Sequence, residues 1–555
     1  MAVAARRSAA PLVAVTIGLL IGVPIVVVLR YLGSETNGLW SHLASTVLPR
    51  YLRNTLWLVL GVSLLASLLG VSTAWLVTVC RFPGRSAFRW LLLLPLAVPS
   101  YLSAYAYTDL LQFSGPVQSA LREAFGWGPR EYWFPAVRSL GGAVVVLSLC
   151  LYPYVYLAAR AAFVEQSVCT LEAGRTLGLN RWQTFRRLGL PLARPSIAAG
   201  LSLVLMETLA EFGAVQYFAV DTFATGIYRT FTLPNEYALV AASQLSACLL
   251  ALVVLLLVLE QAARRAARFH HTSTRYRAQT TWELGGAASL GAMLACLFPV
   301  VFGFGVPFVL FLHKSWVYGD ARARELFFEY GTNSFQVAAL ASLLAVFLAF
   351  SLAYSLRLRP TPLARAAARL AGVGYAIPGG VIAIGILVTL TWIDRRVSTA
   401  SELLLGASTG LLLTGSLVAV VYGYQTRFLA VSLQLLQAGL SRIRPTLDEA
   451  GRTLGATPLQ VLWRVHTPLL RSTLLAAGIL VFVDVIKELP ATLILRPFGY
   501  ETLAVRVYQL ASDERLSEAS TGALGILMLG MVPVVFLART LDRRRPGQSL
   551  DDLSE

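Results

Sequence analysis

Apolar runs of about 20 residues recur along the whole chain, and they constrain its fold more than any other feature. A run of that length is what an α-helix needs to cross a bilayer. Barrel strands would instead alternate apolar and polar residues over about 10 positions. Twelve runs can be placed, near 11–32, 54–79, 88–112, 139–163, 196–218, 235–262, 284–312, 333–356, 366–393, 404–426, 472–495 and 519–540. Composition agrees: of 555 residues 56% are hydrophobic and only 14% charged, against about 25% charged in soluble domains. The chain reads as an all-α polytopic membrane protein, with about 12 transmembrane helices. The N-terminal run is preceded by Arg6 and Arg7 but followed by no small-residue cleavage site, so an uncleaved first span is expected.

A net charge of +17 raises the question of nucleic acid. Its distribution answers that: arginines gather in alternate loops, at 81–89, 175–194, 264–277, 357–369, 427–471 and 539–545. Basic loops face the cytoplasm, which puts both termini inside and makes lipid, not nucleic acid, the charged neighbour. Cys80, Cys150, Cys169, Cys248 and Cys296 show no metal-ligand or disulfide spacing and are expected to be small buried hydrophobes.

Two polar islands interrupt the apolar pattern, LEAGRTLGLNRWQTFRRLGLP at 171–191 and DEAGRTLGATPLQVLWRVHTP at 448–468. Seven residues are identical, Glu172 to Gly178 and Glu449 to Gly455, separated by 277 positions (449 − 172). The same offset relates Pro191 to Pro468, and neighbouring offsets relate Asn54 to Asn333 and Pro99 to Pro378. Six spans per half make this a parallel repeat. The halves are 1–262 and 284–545, joined by a basic linker at 263–283 and followed by a tail at 546–555. Each island reads as two short helices: the first ends at Gly178 or Gly455 in a left-handed conformation, and the second is capped by Asn180 or Thr457. Trp182, Phe185 and Leu188, and Leu459, Leu462 and Val465, are expected to form an apolar face, and Pro191 and Pro468 to stop the helix. A plain interfacial hairpin would not need an identical polar segment twice, whereas a surface offered to a partner with two copies would.

These segments resemble the EAA loop of binding-protein-dependent ABC importer permeases: Glu-Ala-Ala, three residues, Gly, then an apolar-x-Pro. Here the third position is Gly in both copies. The resemblance implies that Glu172, Ala173 and Gly178, with Glu449, Ala450 and Gly455, dock two copies of a cytoplasmic ABC ATPase subunit. It also implies a periplasmic substrate-binding protein and an inner-membrane location. No GxxxxGK[ST] pattern is present, so the chain itself is expected to bind no cofactor, with ATP used by the partner subunit. The segments 151–167, 206–218, 438–457 and 484–497 look most like the fused permeases of ferric-iron importers. Thiamine, phosphonate and inorganic-anion permeases share parts of them. A 12-span secondary transporter is the alternative from another class.

Four acids bear on the cargo. Glu207 and Glu211 in span five, and Asp484 and Glu488 in span eleven, are related by the 277-residue offset. Spaced four apart, each pair is expected to share a helical face. At about 1.5 Å per residue they lie from roughly mid-membrane outwards, where a charge costs about 2.5–3.5 kcal/mol. They either line a path for a hard cation, which prefers oxygen ligands, or pair with Lys487, Arg229 or Arg506 to hold helices together. Tyr101, Tyr105, Tyr107, Tyr152, Tyr154 and Tyr156 could add phenolic oxygens to such a path, but are expected as interfacial anchors. Asp109 in span three has no evident counterpart.

Overall fold

The computed structural model describes residues 2–129, 131–165, 176, 178–265, 282–318 and 321–541. Among them nine helices are long and apolar enough to cross a membrane, or ten if the pair Arg85–Ala97 and Ser100–Phe125, bent by 89°, is one span. The helices Gly379–Leu405 and Leu417–Ser441 bring the helical spans to twelve. They are less apolar because they carry Asp394, Gln425 and Arg427 among packed neighbours. The chain is an all-α polytopic membrane protein.

Spans three and nine are each broken at a proline. Arg85–Leu91 and the 3-10 turn Leu94–Ala97 precede Pro99, and Pro362–Val373 and the 3-10 turn Gly374–Ala376 precede Pro378. A proline lacks the N–H that a continuing helix needs, and it pushes the preceding residue to an extended conformation. Val98 and Ile377 are extended accordingly. The tenth span does not fall at 404–426. The apolar stretch after Leu405 turns at Gly406, Gly410 and Gly415, all with positive φ, and the helix starts at Leu417. Helix Leu140–Glu165, its counterpart 277 residues earlier, would have placed it correctly.

Two compact units divide the chain, and each draws on both sides of the basic linker. One contains 1–49, 223–250 and 320–514; the other contains 50–222, 251–319 and 515–555. In the first unit helix Ala321–Leu358 packs on Leu417–Ser441 and Thr467–Lys487, and helix Ala2–Arg30 lies against Pro362–Val373 and Gly379–Leu405. Ile17, Ile21, Phe350, Leu352, Leu429, Leu433 and Leu436 fill its core. In the second unit Leu140–Glu165 packs on Leu190–Ala210, and Val306–Tyr318 on Leu516–Leu541. Val62, Leu92, Tyr152, Tyr156 and Phe163 are fully buried there. A two-residue parallel pairing of Cys80–Arg81 with Trp282–Glu283 belongs to the same unit. Cys80, Cys150, Cys248 and Cys296 are free thiols. Most of the linker, including 266–281, as well as Cys169 and the tail, lies outside the described residues.

Candidate functional site: the repeated loops and the acidic helix breaks

The second repeated loop is described throughout. Helix Thr446–Thr453 carries Asp448 and Glu449 in its first turn, where carboxylates complement the positive end of the helix dipole. Gly455 follows at φ 78°, a left-handed position open to glycine without a Cβ penalty. Thr457 and Gln460 then form a reciprocal capping box, Gln460 N–H to Thr457 Oγ1 at 3.3 Å and Thr457 N–H to Gln460 Oε1 at 2.8 Å. In the first loop Gly178 has φ 75°, and Asn180 and Gln183 exchange the same two bonds at 2.8 and 3.0 Å. Glu172 and Ala173 lie outside the described residues.

Pro191 and Pro468 do not stop the second helix of either loop. Arg181–Thr184 runs through a π turn, Phe185–Gly189, into Leu190–Ala210, and Pro458–Val461 runs through Leu462–His466 into Thr467–Lys487. The N–H before each proline reaches back five residues, Leu190 to Phe185 O and Thr467 to Leu462 O. A proline ring collides with the carbonyl four residues earlier, and the wider π turn removes that conflict. Each loop is therefore continuous with the span that follows it.

The apolar stripe also differs from expectation. Val461, Leu462 and His466 are buried, whereas Leu459 is 60% exposed. A strict spacing of three drifts around a helix, and the stripe that stays on one face alternates threes and fours. Leu459, Leu454 and Trp463 are left outward beside Glu449, Ala450 and Arg452, all exposed; in the first loop Trp182 points outward. The departure from Glu-Ala-Ala has a steric cause in the second loop. A Cβ on Gly451 would lie 2.9 Å from Val461 Cγ2, and Val461 is buried.

Spans five and eleven break at the outer acid of each pair. Helix Leu190–Ala210 ends at Glu211 and helix Thr467–Lys487 at Glu488, both with φ −68° and ψ 122°. Glu207 and Glu211, and Asp484 and Glu488, therefore do not share one helical face. Each carboxylate at a break folds over the short helix beyond it: Glu211 Oε1 accepts from Ala214 N–H at 2.8 Å and Glu488 Oε1 from Ala491 N–H at 3.0 Å. Glu207 and Asp484 lie one turn earlier and are half-buried.

Beyond that shared turn the two breaks diverge. Glu488 is buried and paired with Arg427 Nη1 at 3.4 Å, side chains 5% and 8% exposed. Gly379 makes room for the pair, because a Cβ there would lie 2.4 Å from Arg427 Nη1 and 2.6 Å from Glu488 Oε1. In the first repeat Glu211 accepts a hydrogen bond from Ser100 Oγ, and Cys150 stands 277 positions before Arg427. Sequence reasoning missed Arg427, although a lone arginine inside an apolar run was the available signal. It also missed Lys314, which pairs with Asp109 at 2.9 Å. Among the described residues no group of three Asp, Glu, His or Cys side chains is placed to hold a metal ion.

Two other expectations resolve here. Asn54 and Asn333 play matching parts, donating from Nδ2 to Asp221 O at 3.0 Å and to Glu501 O at 3.2 Å. Five of the six tyrosines are packed inside the protein and not exposed as interfacial anchors: Tyr101, Tyr105, Tyr107, Tyr152 and Tyr156 are buried, and Tyr154 is half-buried. Tyr152 and Tyr156 donate to Leu92 O and Arg89 O, both at 2.9 Å, where the broken third span leaves carbonyls in need of donors.

Broken and continuous helical spans in two repeats, each with a capped helix leading through a π turn into a span, are the architecture of a polytopic transport permease. Residues 66–268 match the model of the family described as binding-protein-dependent transport system inner membrane component. The Fe(3+)-transport system permease protein FbpB 2 of Haemophilus influenzae is 25% identical over 532 residues, covering 94% of this chain and 97% of that one. The ferric transport system permease protein FbpB of Actinobacillus pleuropneumoniae is 24% identical over 80% of this chain and 64% of its own length. The molybdenum transport system permease protein ModB of Escherichia coli is 32% identical over 173 residues, 31% of this chain and 70% of that protein. The chain belongs to the binding-protein-dependent transport system inner membrane component family: it is a multi-pass permease subunit of the inner membrane.

Proposed function

We propose that this chain is the permease of an ATP-driven importer of ferric iron, supplying both transmembrane halves in one polypeptide. The observation that carries the reading is the duplicated loop, twice capped in the same way and twice continuous with the span beyond it, within a chain similar along almost its whole length to an iron permease. Two copies of a separate ATPase subunit dock on the two loops from the cytoplasm, with both termini on that side. ATP closes the ATPase pair. The loops move, and spans five and eleven carry the movement to the breaks at Glu211 and Glu488. Substrate arrives from a periplasmic binding protein and passes by alternating access. The chain makes and breaks no covalent bond; ATP is hydrolysed by its partner.

The half-buried Glu207 and Glu211 are the acids proposed to meet the cation; Glu488 is buried and paired with Arg427. Asp484 lies one turn before that pair and is proposed to act with it. Uptake of radiolabelled ferric iron by cells carrying this chain with its ATPase and binding protein tests the reading. Uptake is expected with the wild-type chain, and a drop of at least tenfold with E207Q/E211Q at equal membrane abundance. Uptake of molybdate, phosphonate or thiamine in place of iron would reassign the cargo. Uptake driven by an ion gradient without the ATPase would overturn the class.

A further inference from the structure

The two repeated loops share seven identical residues but are seated on their own units by different chemistry. In the second repeat the seat is ionic. Asp448, one residue before the identical segment, accepts from Arg357 Nε at 2.7 Å through Oδ2 and meets His466 Nε2 at 2.5 Å through Oδ1. Arg357 stands in the last turn of helix Ala321–Leu358. Its remaining donors reach Leu440 O at 2.5 Å, Ile443 O at 2.9 Å and Arg444 O at 3.3 Å. One guanidinium thus ties three elements: the end of span eight, the end of helix Leu417–Ser441, and the first helix of the loop. His466 is fully buried at the end of the π turn. The Tyr354 ring lies 5.5 Å from it, and the Tyr354 hydroxyl donates to Pro458 O at 2.7 Å.

In the first repeat the corresponding positions hold none of these charges. Trp75 stands for Tyr354, Thr78 for Arg357, Gly189 for His466 and Leu171 for Asp448. The seat there is aromatic: the Trp75 ring packs on Phe163 at 5.2 Å and Phe185 at 5.0 Å. Gly189 lies so close that a Cβ would be 2.5 Å from Trp75 Cζ3. Helix Leu48–Val79 therefore meets the first loop through a ring over a glycine, and helix Ala321–Leu358 meets the second through a carboxylate held by a fork and an imidazole.

We propose that Asp448, His466 and Arg357 are positioning residues that clamp the second loop to spans eight and eleven, so that force applied to Glu449 and its neighbours moves those spans as one body. The inference rests on the loops being the ATPase docking surfaces. Asp448, in the first turn of the loop's first helix, reaches His466 at the end of the π turn. With its carboxylate in place, a push on the first helix is transmitted to His466 and so to the start of helix Thr467–Lys487. Without it, the first helix can yield while the second stays still. At the π turn of the first loop Trp75 packs over Gly189 and against Phe185 instead. The two loops are consequently not interchangeable, although seven of their residues are identical.

The test uses the full permease–ATPase complex in proteoliposomes with its binding protein, and reads three quantities: ATPase subunits retained per permease, ATP hydrolysis, and substrate taken up per ATP. D448N is expected to retain both ATPase subunits and hydrolyse ATP, with uptake per ATP at least fivefold lower. H466A is expected to match it, while H466Q, which keeps a donor near Nε2, regains at least half of the ratio. R357K keeps the charge but not the fork and is expected to fall between. A wild-type ratio in D448N, H466A and R357K would overturn the clamp. Failure of the wild-type chain to retain any ATPase would instead overturn the docking reading beneath it. If D448N does not reach the membrane, R357K and H466A carry the same comparison, and equal ratios for H466A and H466Q would refute a hydrogen-bonding role for His466.

Discussion

Removing either half of the Arg427–Glu488 pair should damage the protein more than removing both. The pair is buried, at 3.4 Å, with 8% and 5% of the side chains exposed. Deleting one partner leaves a charge in a medium that solvates it poorly, a loss of about 3–5 kcal/mol in buried pairs, whereas replacing both with uncharged groups of similar size is often nearly neutral. R427M is therefore expected to cost about 3–5 kcal/mol. E488Q, which keeps an acceptor for Ala491 N–H but strands the guanidinium, should cost about as much. R427M/E488Q should cost about 0–2 kcal/mol, far less than the sum, so the coupling between the positions is several kcal/mol. The first repeat provides the contrast. S100A removes a single hydroxyl from Glu211 and is expected to cost about 1.5–3 kcal/mol, as for one hydrogen bond to a charged group. G379A belongs to the same cycle, because its methyl would stand 2.4 Å from Arg427 Nη1; overpacking of this kind costs about 1–3 kcal/mol, and R427M should relieve it. Equilibrium unfolding in mixed micelles, followed by tryptophan fluorescence, measures each difference. A double variant as unstable as the sum of the singles would refute the reasoning.

Further outcomes concern the loops. G451A should loosen the second loop by about 1–3 kcal/mol, because the new methyl meets Val461 Cγ2 at 2.9 Å; faster limited proteolysis within 446–461 is the readout, and V461A in the same chain should restore resistance. Leu454 and Trp133 are 87% and 85% exposed; L454C should react with a membrane-impermeant maleimide only from the cytoplasmic side and W133C only from the other, and labelling of both from one side would overturn the topology.

The helical architecture was legible because length and apolarity decide whether a segment crosses a bilayer, and both can be read directly. The misplaced tenth span shows the limit. Leu403, Leu404 and Leu405 and then Leu411, Leu412 and Leu413 look like a continuous apolar run, yet three glycines at positive φ turn the chain between Leu405 and Leu417. Caps were legible at Asn180 and Thr457 because capping depends on residues three apart in sequence. The π turns were not, since local rules say that a proline ends a helix, and only the structure shows the hydrogen bonds slipping by one residue to keep it. Partners far apart in the chain were the least legible. Arg427 and Glu488, Lys314 and Asp109, and Arg357 and Asp448 are joined by tertiary packing, which no spacing rule encodes. Glu488 and Asp109 were found as acids, Asp448 was not, and what holds each of them was not.

The pattern of what was kept and what diverged between the repeats has a physical logic. On the proposed docking reading the loops answer to a single partner type presented twice, which accounts for the segment from Glu172 to Gly178 reappearing unchanged from Glu449 to Gly455. Residues that face inward answer only to their own unit, and there one packing solution can replace another of similar strength: a tryptophan over a glycine in one repeat, a carboxylate between an arginine and a histidine in the other. The same division appears at the helix breaks. The backbone turn and the carboxylate cap at Glu211 and Glu488 are the same to within 0.2 Å in their N–H···O distances, 2.8 and 3.0 Å, while the group opposite the carboxylate is a hydroxyl in one and a guanidinium in the other. A break that keeps its geometry while its carboxylate meets a hydroxyl in one repeat and a buried guanidinium in the other still bends both spans alike. A permease of two identical halves could not differ in this way; a fused chain can, because each half is free to vary alone.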